Sequence, residues 1–235
     1  MPAAASDVDA LVAFVVAYVD AHADADNAAQ MDAYMKLEAR GDAVRFKGMH
    51  APLRKALHKE LKTQFKPTSA ADRQRQVEAL WALPFREARL LAIDVAMASK
   101  KHITLDQLPL YERMVREGSW WDLVDGVAIH LVGGLLRTHR QKMTEVVRGY
   151  IDDDHLWMRR TALLSQCRHK DATDDVLLFE LCLRCAGETD FFMRKAIGWA
   201  LREYSRTAPA AVWAFVDAHS DVLSPLSQRE AQKRR

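Results

Sequence analysis

The chain has 235 residues, 49% of them hydrophobic and 28% charged, with only three cysteines. Such a length supports a core that needs no disulfide or metal, and an odd cysteine count behind a start unlike a signal peptide points to a reducing cytoplasm. No stretch approaches the roughly 20 apolar residues that a membrane span requires; even Ala10 to Val19 is short and is bounded by Asp9 and Asp20.

The formal net charge of +2 conceals a split. Six aspartates, from Asp7 to Asp32, precede the first basic residue, Lys36, so the remainder holds 34 basic residues against 26 acidic ones, a net +8. An excess of that size suits a polyanionic partner as well as it suits a merely basic surface.

Apolar residues recur at helical spacing through Val8 to His22, Pro52 to Phe65, Arg73 to Trp81, Phe85 to Ala98 and Leu105 to Arg116. The rhythm continues through Trp120 to Arg137, Lys142 to Ile151, His155 to Arg168, Asp174 to Ala186, Asp190 to Arg206 and Ala208 to His219. The breaks are short and carry helix punctuation: Pro67 to Ser69, Pro84, Gly118 with Ser119, Asp152 to Asp154, Gly187 and Pro209. Helices joined this tightly pack as antiparallel neighbours. The expectation is an all-α chain, an α-α superhelix of HEAT-like or armadillo type with degenerate repeats and a concave groove; a compact irregular bundle is the alternative. Residues 1–35 read as an acidic Ala/Asp-rich extension with one amphipathic helix, 36–230 as the main domain and 231–235 as a basic tail.

Three segments carry candidate chemistry. In Ser119-Trp120-Trp121-Asp122-Leu123-Val124-Asp125, Ser119 is expected to cap a helix, with Asp122 three residues on closing a capping box. At about 100° per residue, Trp120 shares an apolar stripe with Val124, Val127 and Leu131, whereas Trp121 stands beside Asp125 one turn later. An aromatic and a carboxylate are thus presented together, although a partly buried tryptophan beside a solvated aspartate would look the same. In Phe191 to Arg206 the core stripe is Met193, Ala196, Ile197, Ala200, Leu201 and Tyr204, while Trp199 falls among Lys195, Arg202 and Arg206. A tryptophan on a cationic face suits nucleic acid, with cations for phosphates and a ring for sugar or base. In Trp157-Met158-Arg159-Arg160 the wheel puts Arg160 near the apolar side and leaves its role open.

Cys182-Leu183-Arg184-Cys185 has the spacing of a metal or redox pair, but its helix continues an apolar stripe through Leu177, Leu178 and Leu181, so both cysteines are assigned to the core. No Gly-rich phosphate loop, nucleophile elbow or HExxH motif is present, and no cofactor or metal is expected.

Taken together, the three segments resemble the AlkD-like DNA alkylation repair family, the block from Phe191 to Tyr204 most specifically. The resemblance extends back through Leu80-Trp81 and Ala92-Ile93-Asp94 to Tyr34-Met35-Lys36, and forward to Leu226 to Ala231. It implies a base excision repair glycosylase that removes cationic N3- or N7-alkylpurines, such as 3-methyladenine and 7-methylguanine, from double-stranded DNA without base flipping. By the same resemblance Trp121 and Trp199 wall the lesion's deoxyribose, Asp125 is the catalytic carboxylate and Arg160 meets a phosphate. Arg159, Lys195, Arg202 and Arg206 are further candidate DNA contacts, and the protein is expected to act as a nucleoid-associated monomer. The rival within this reading is a non-catalytic HEAT-like binder of branched or distorted DNA. Leu37 to Arg45 is more charged than the family pattern, and no DNA contact is assigned there.

Overall fold

The computed structural model describes residues 8–98 and 102–235. Among them the regular structure is helical, and the one β-type pairing is an isolated bridge between Arg45 and Phe85. The chain forms two compact units, Met1–Thr104 and Leu105–Arg235.

In the first unit α1 (Val8–Ala21) buries Leu11, Val15 and Val19, and packs against α3 (Ala51–Gln64) and α4 (Ala70–Trp81). Where one helix was expected in the acidic leader there are two, because Asp24 starts α2 (Ala25–Met35) by accepting from the Asn27 N–H. This helix buries no residue, so it has no apolar stripe to announce it. Ser69 caps α4 through the Asp72 N–H, and α5 (Arg86–Ala98) packs on α4 and α3.

The charged stretch after α2 is tied down internally. Asp42 pairs with the buried Arg86 at 2.9 Å, and Arg45 with Asp32 at 3.4 Å. The Glu87 carboxylate accepts the backbone N–H groups of Lys47, Gly48 and Met49 at 2.8–3.1 Å. Gly48 is required there: its φ is +87°, and a Cβ would stand 1.9 Å from the Asp24 carbonyl oxygen.

The second unit is built around α10 (Leu156–Leu164). It packs against α6 (Leu108–Gly118), α7 (Trp121–Gly126), α9 (Arg140–Ile151), α11 (Asp175–Arg184) and α12 (Phe191–Tyr204). The predicted helix Trp120 to Arg137 is α7, a π-helical turn (Val127–Val132) and α8 (Gly133–Thr138) in succession. α13 (Pro209–Ala218) and α14 (Pro225–Ala231) complete the unit. α14 escaped the periodicity because its buried face is Ser227, Glu230 and Ala231 rather than an apolar stripe.

Ser119 does not cap α7. It ends α6 in a left-handed conformation, φ +38°, and its hydroxyl donates to the Arg116 carbonyl and lies 3.2 Å from His155 Nε2. Trp120 occupies the N-cap position instead. A glycine followed by a residue able to take positive φ is a helix stop, and here that signal outranks the serine's capping preference. The cysteines lie in the core as the stripe implied, Cys182 and Cys185 being at most 1% exposed. Among the described residues no helix is long and apolar enough to cross a membrane.

α12 and α14 make the most intimate helix pair, and Gly198 allows it. A Cβ at that position would come within 2.3 Å of Glu230 Cβ and 2.7 Å of the Ser227 carbonyl oxygen. Gly198→Ala is therefore expected to destabilise the fold by about 1–3 kcal/mol through overpacking. Urea unfolding that superimposes on wild type would show that the helices separate without cost.

Candidate active site

The site begins with where α7 starts. With Trp120 outside the helix, Trp121 opens it and Asp125 follows one turn later, so the two side chains share a face. Trp121 is half-buried, and the Asp125 side chain keeps 15% of its accessible surface. Across from it, α10 contributes Arg160, which the wheel placed near the apolar side and which is buried.

Arg160 grips Asp125 with two parallel hydrogen bonds, Nε to Oδ1 and Nη2 to Oδ2, both 2.8 Å. Its remaining nitrogen, Nη1, donates to the Phe192 carbonyl at the start of α12 at 2.6 Å. One guanidinium therefore ties α10 to both α7 and α12. Burial pushes the Asp125 carboxyl above the usual carboxylate range, a nearby Asp122 charge adds to that, and the hydrogen bonds and charge of Arg160 oppose it.

An aromatic cluster lies beside the pair. Trp120 meets Phe192 and Trp157 edge-on at 4.8 and 5.6 Å, and Trp157 packs on Phe192 at 5.3 Å. The Arg160 guanidinium carbon lies 5.9 Å from the Trp157 ring centre and 6.0 Å from that of Phe192. Trp120 is thus part of a half-buried cluster rather than a deep core residue. Cations over ring faces in a desolvated place are stabilising, which helps to hold Arg160 where it is.

Trp199 is half-buried on α12, in the stripe with Lys195 and Arg202 that the wheel drew. The candidate cations are more committed than the sequence suggested. Lys195 and Arg202 both bind the Glu230 carboxylate at 2.6 Å, and Lys233 joins them at 2.7 Å. Burial alone would raise the Glu230 carboxyl, but this surround of cations brings it to about 2. Arg159 binds Glu188 at 2.7 Å and the Asp153 and Asp154 carbonyls. Arg206 is half-exposed, and its one ion pair among the described residues is a 3.5 Å contact to Glu203.

Sequence reasoning missed two things here: the Asp125–Arg160 clasp, whose members are 35 positions apart, and Glu230. A glutamate on an otherwise small-residue face, at i+3 from Ser227, was the available signal for the second.

The all-helical fold is of the α-α superhelix class, with a carboxylate clasped by an arginine beside an aromatic cluster. Residues 15–234 match the family model "DNA alkylation repair enzyme". A solved structure described as a predicted DNA alkylation repair enzyme from Enterococcus faecalis is 31% identical, with a TM-score of 0.79 over 91% of this chain and 96% of that one. No curated protein matches at a significant level. The chain belongs to the DNA alkylation repair enzyme family, and its role lies in the repair of alkylation damage to DNA.

The clasp also dictates a stability effect. Removing one partner of a buried pair leaves the other charge without compensation. Arg160→Met is expected to cost about 3–5 kcal/mol, read as a lower urea midpoint, and most of the loss should return in Arg160→Met with Asp125→Asn, where no charge is stranded. A single variant as stable as wild type would mean that solvent replaces Arg160 freely.

Proposed function

We propose that the protein is a DNA glycosylase that hydrolyses the N-glycosidic bond of cationic N3- or N7-alkylpurines in duplex DNA without base flipping. The observation that carries this is Asp125: a largely buried carboxylate, held bidentately by Arg160, one helical turn from the half-exposed Trp121. Trp199 stands on α12, which also packs against α10.

An alkylated purine already carries positive charge, so it leaves with the bonding electron pair as a neutral base and needs no proton from a general acid. Cationic character then builds at the sugar C1′. Asp125 stabilises it electrostatically and takes the proton of the water that forms the new C1′–O bond. The faces of Trp121 and Trp199 attract a cationic sugar and exclude water. Arg160 holds the carboxylate in place and offsets the burial that favours its neutral form. Three of its five N–H groups are engaged in holding Asp125 and the Phe192 carbonyl, which makes it a positioning residue for the carboxylate.

Release of 7-methylguanine from methylated duplex DNA tests the proposal. Asp125→Asn is expected to lower single-turnover release by about 10²–10⁴-fold while duplex binding persists. Binding with no release by wild type would instead favour a non-catalytic binder of branched or distorted DNA.

The pH dependence follows from the same carboxylate. The ionised form is the active one and burial raises its pKa, so the rate climbs with pH through a value above the ordinary carboxylate range. Arg160→Gln removes the opposing influence and shifts that limb to still higher pH. A limb at the ordinary aspartate value, or one indifferent to Arg160→Gln, would remove Asp125 from the chemical step.

A further inference from the structure

A cavity of about 280 Å³ lies between the loop after α10 and the end of α12, and of its lining only Arg206 is among the candidate DNA contacts. Three cations line it, Arg168, Lys170 and Arg206, together with the hydroxyl-bearing Thr173, Tyr204 and Thr207. The one acid in its lining is Glu203, which lies 3.5 Å from Arg206. Neither Arg168 nor Lys170 forms an ion pair among the described residues.

The backbone of this loop is unusual. Arg168 and Lys170 both have positive φ, +74° and +53°, with the right-handed His169 between them at φ −70°, ψ −22°. Left-handed conformations are strained for a non-glycine residue. The His169 N–H donates to the Gln166 carbonyl at 3.0 Å within this turn, so the loop offers an anion its side chains rather than a nest of peptide N–H groups. The fold enforces this conformation: the buried His169 donates through Nε2 to the Gly133 carbonyl at 2.9 Å. Two strained positions are thus occupied by long cations where glycine would fit without strain.

The cavity and the catalytic candidate Trp199 share α12. Glu203 is one turn from Trp199 on α12.

We infer that this cavity is a phosphate site, built from Arg168, Lys170 and Arg206 with the hydroxyls of Thr173 and Thr207, and that its occupant is a backbone phosphate of the DNA duplex near the lesion. The inference rests on the glycosylase reading for the identity of the DNA. Cations and hydroxyl donors around a space of this size match a phosphodiester with part of its sugar, and the net positive lining favours an anion. Arg160 and Lys195, which face carboxylates, leave the anchoring of the strand to this loop.

The test is Arg168→Gly with Lys170→Gly, measured with wild type by fluorescence anisotropy on an undamaged duplex across a salt series. Glycine accepts positive φ, so the melting temperature is retained. Affinity is expected to fall about tenfold at 0.1 M salt, and the slope of log K against log salt by about one to two. Arg168→Lys with Lys170→Arg, which keeps both charges, should hold the slope. Titration of inorganic phosphate and of AMP into the DNA-free proteins separates the sources of phosphate. A double-glycine variant that keeps the wild-type slope overturns the inference, and AMP binding lost in that variant would then assign the cavity to a free nucleotide. A wild-type protein that binds no duplex overturns the glycosylase reading as well, whereas one that releases 7-methylguanine normally with a slope shared by the variant sinks this inference alone.

Discussion

The second unit depends on a single charge pair held mostly out of water. Taking a carboxylate and a guanidinium from solvent costs several kcal/mol each, and the attraction between them offsets that only when geometry is good and the remaining donors are satisfied. Asp125 and Arg160 have that geometry, with two 2.8 Å hydrogen bonds between them, and a third from Arg160 satisfies the Phe192 carbonyl. Because that carbonyl starts α12 and Asp125 lies on α7, the pair also sets how these two helices sit on α10. Any chemistry proposed for Asp125 inherits its geometry from this clasp.

Glu230 does on a smaller scale for α12 and α14 what Asp125 does for α7 and α10. One buried carboxylate gathers Lys195, Arg202 and Lys233, leaving a net excess of two positive charges whose positions are constrained. A cationic face composed in this way differs from a scatter of exposed lysines. Its side-chain entropy has already been surrendered in folding, so a polyanion that binds it has less ordering to drive.

Close backbone approach is the complementary device. Gly198 lets α14 lie directly on α12, and Gly133, where a Cβ would sit 2.3 Å from the Ser165 carbonyl oxygen, brings α8 against the end of α10. The second contact supports the loop that carries the positive-φ residues Arg168 and Lys170, through the hydrogen bond from His169. Strain at a surface loop persists only when neighbours over-determine it, and here the neighbour is the helix that begins one π-turn beyond Asp125.

Helical class, most helix positions, the core cysteines, and the pairing of Trp121 with Asp125 and of Trp199 with cations were legible in the sequence. Each rests on relations within one helix, where a rise of 1.5 Å and a turn of about 100° per residue turn spacing into geometry. The helices α2 and α14 were not legible, since neither buries the apolar stripe that periodicity detects. Ser119 was misread because a helix stop and a helix cap compete for the same residue, and only the backbone conformation distinguishes them. The partners of Arg160, Lys195 and Arg202 belong wholly to the tertiary structure. They lie about 30 positions away along the chain, and whether a cation meets a carboxylate or is left to meet a phosphate is decided by which helices pack together, for which local spacing holds no record.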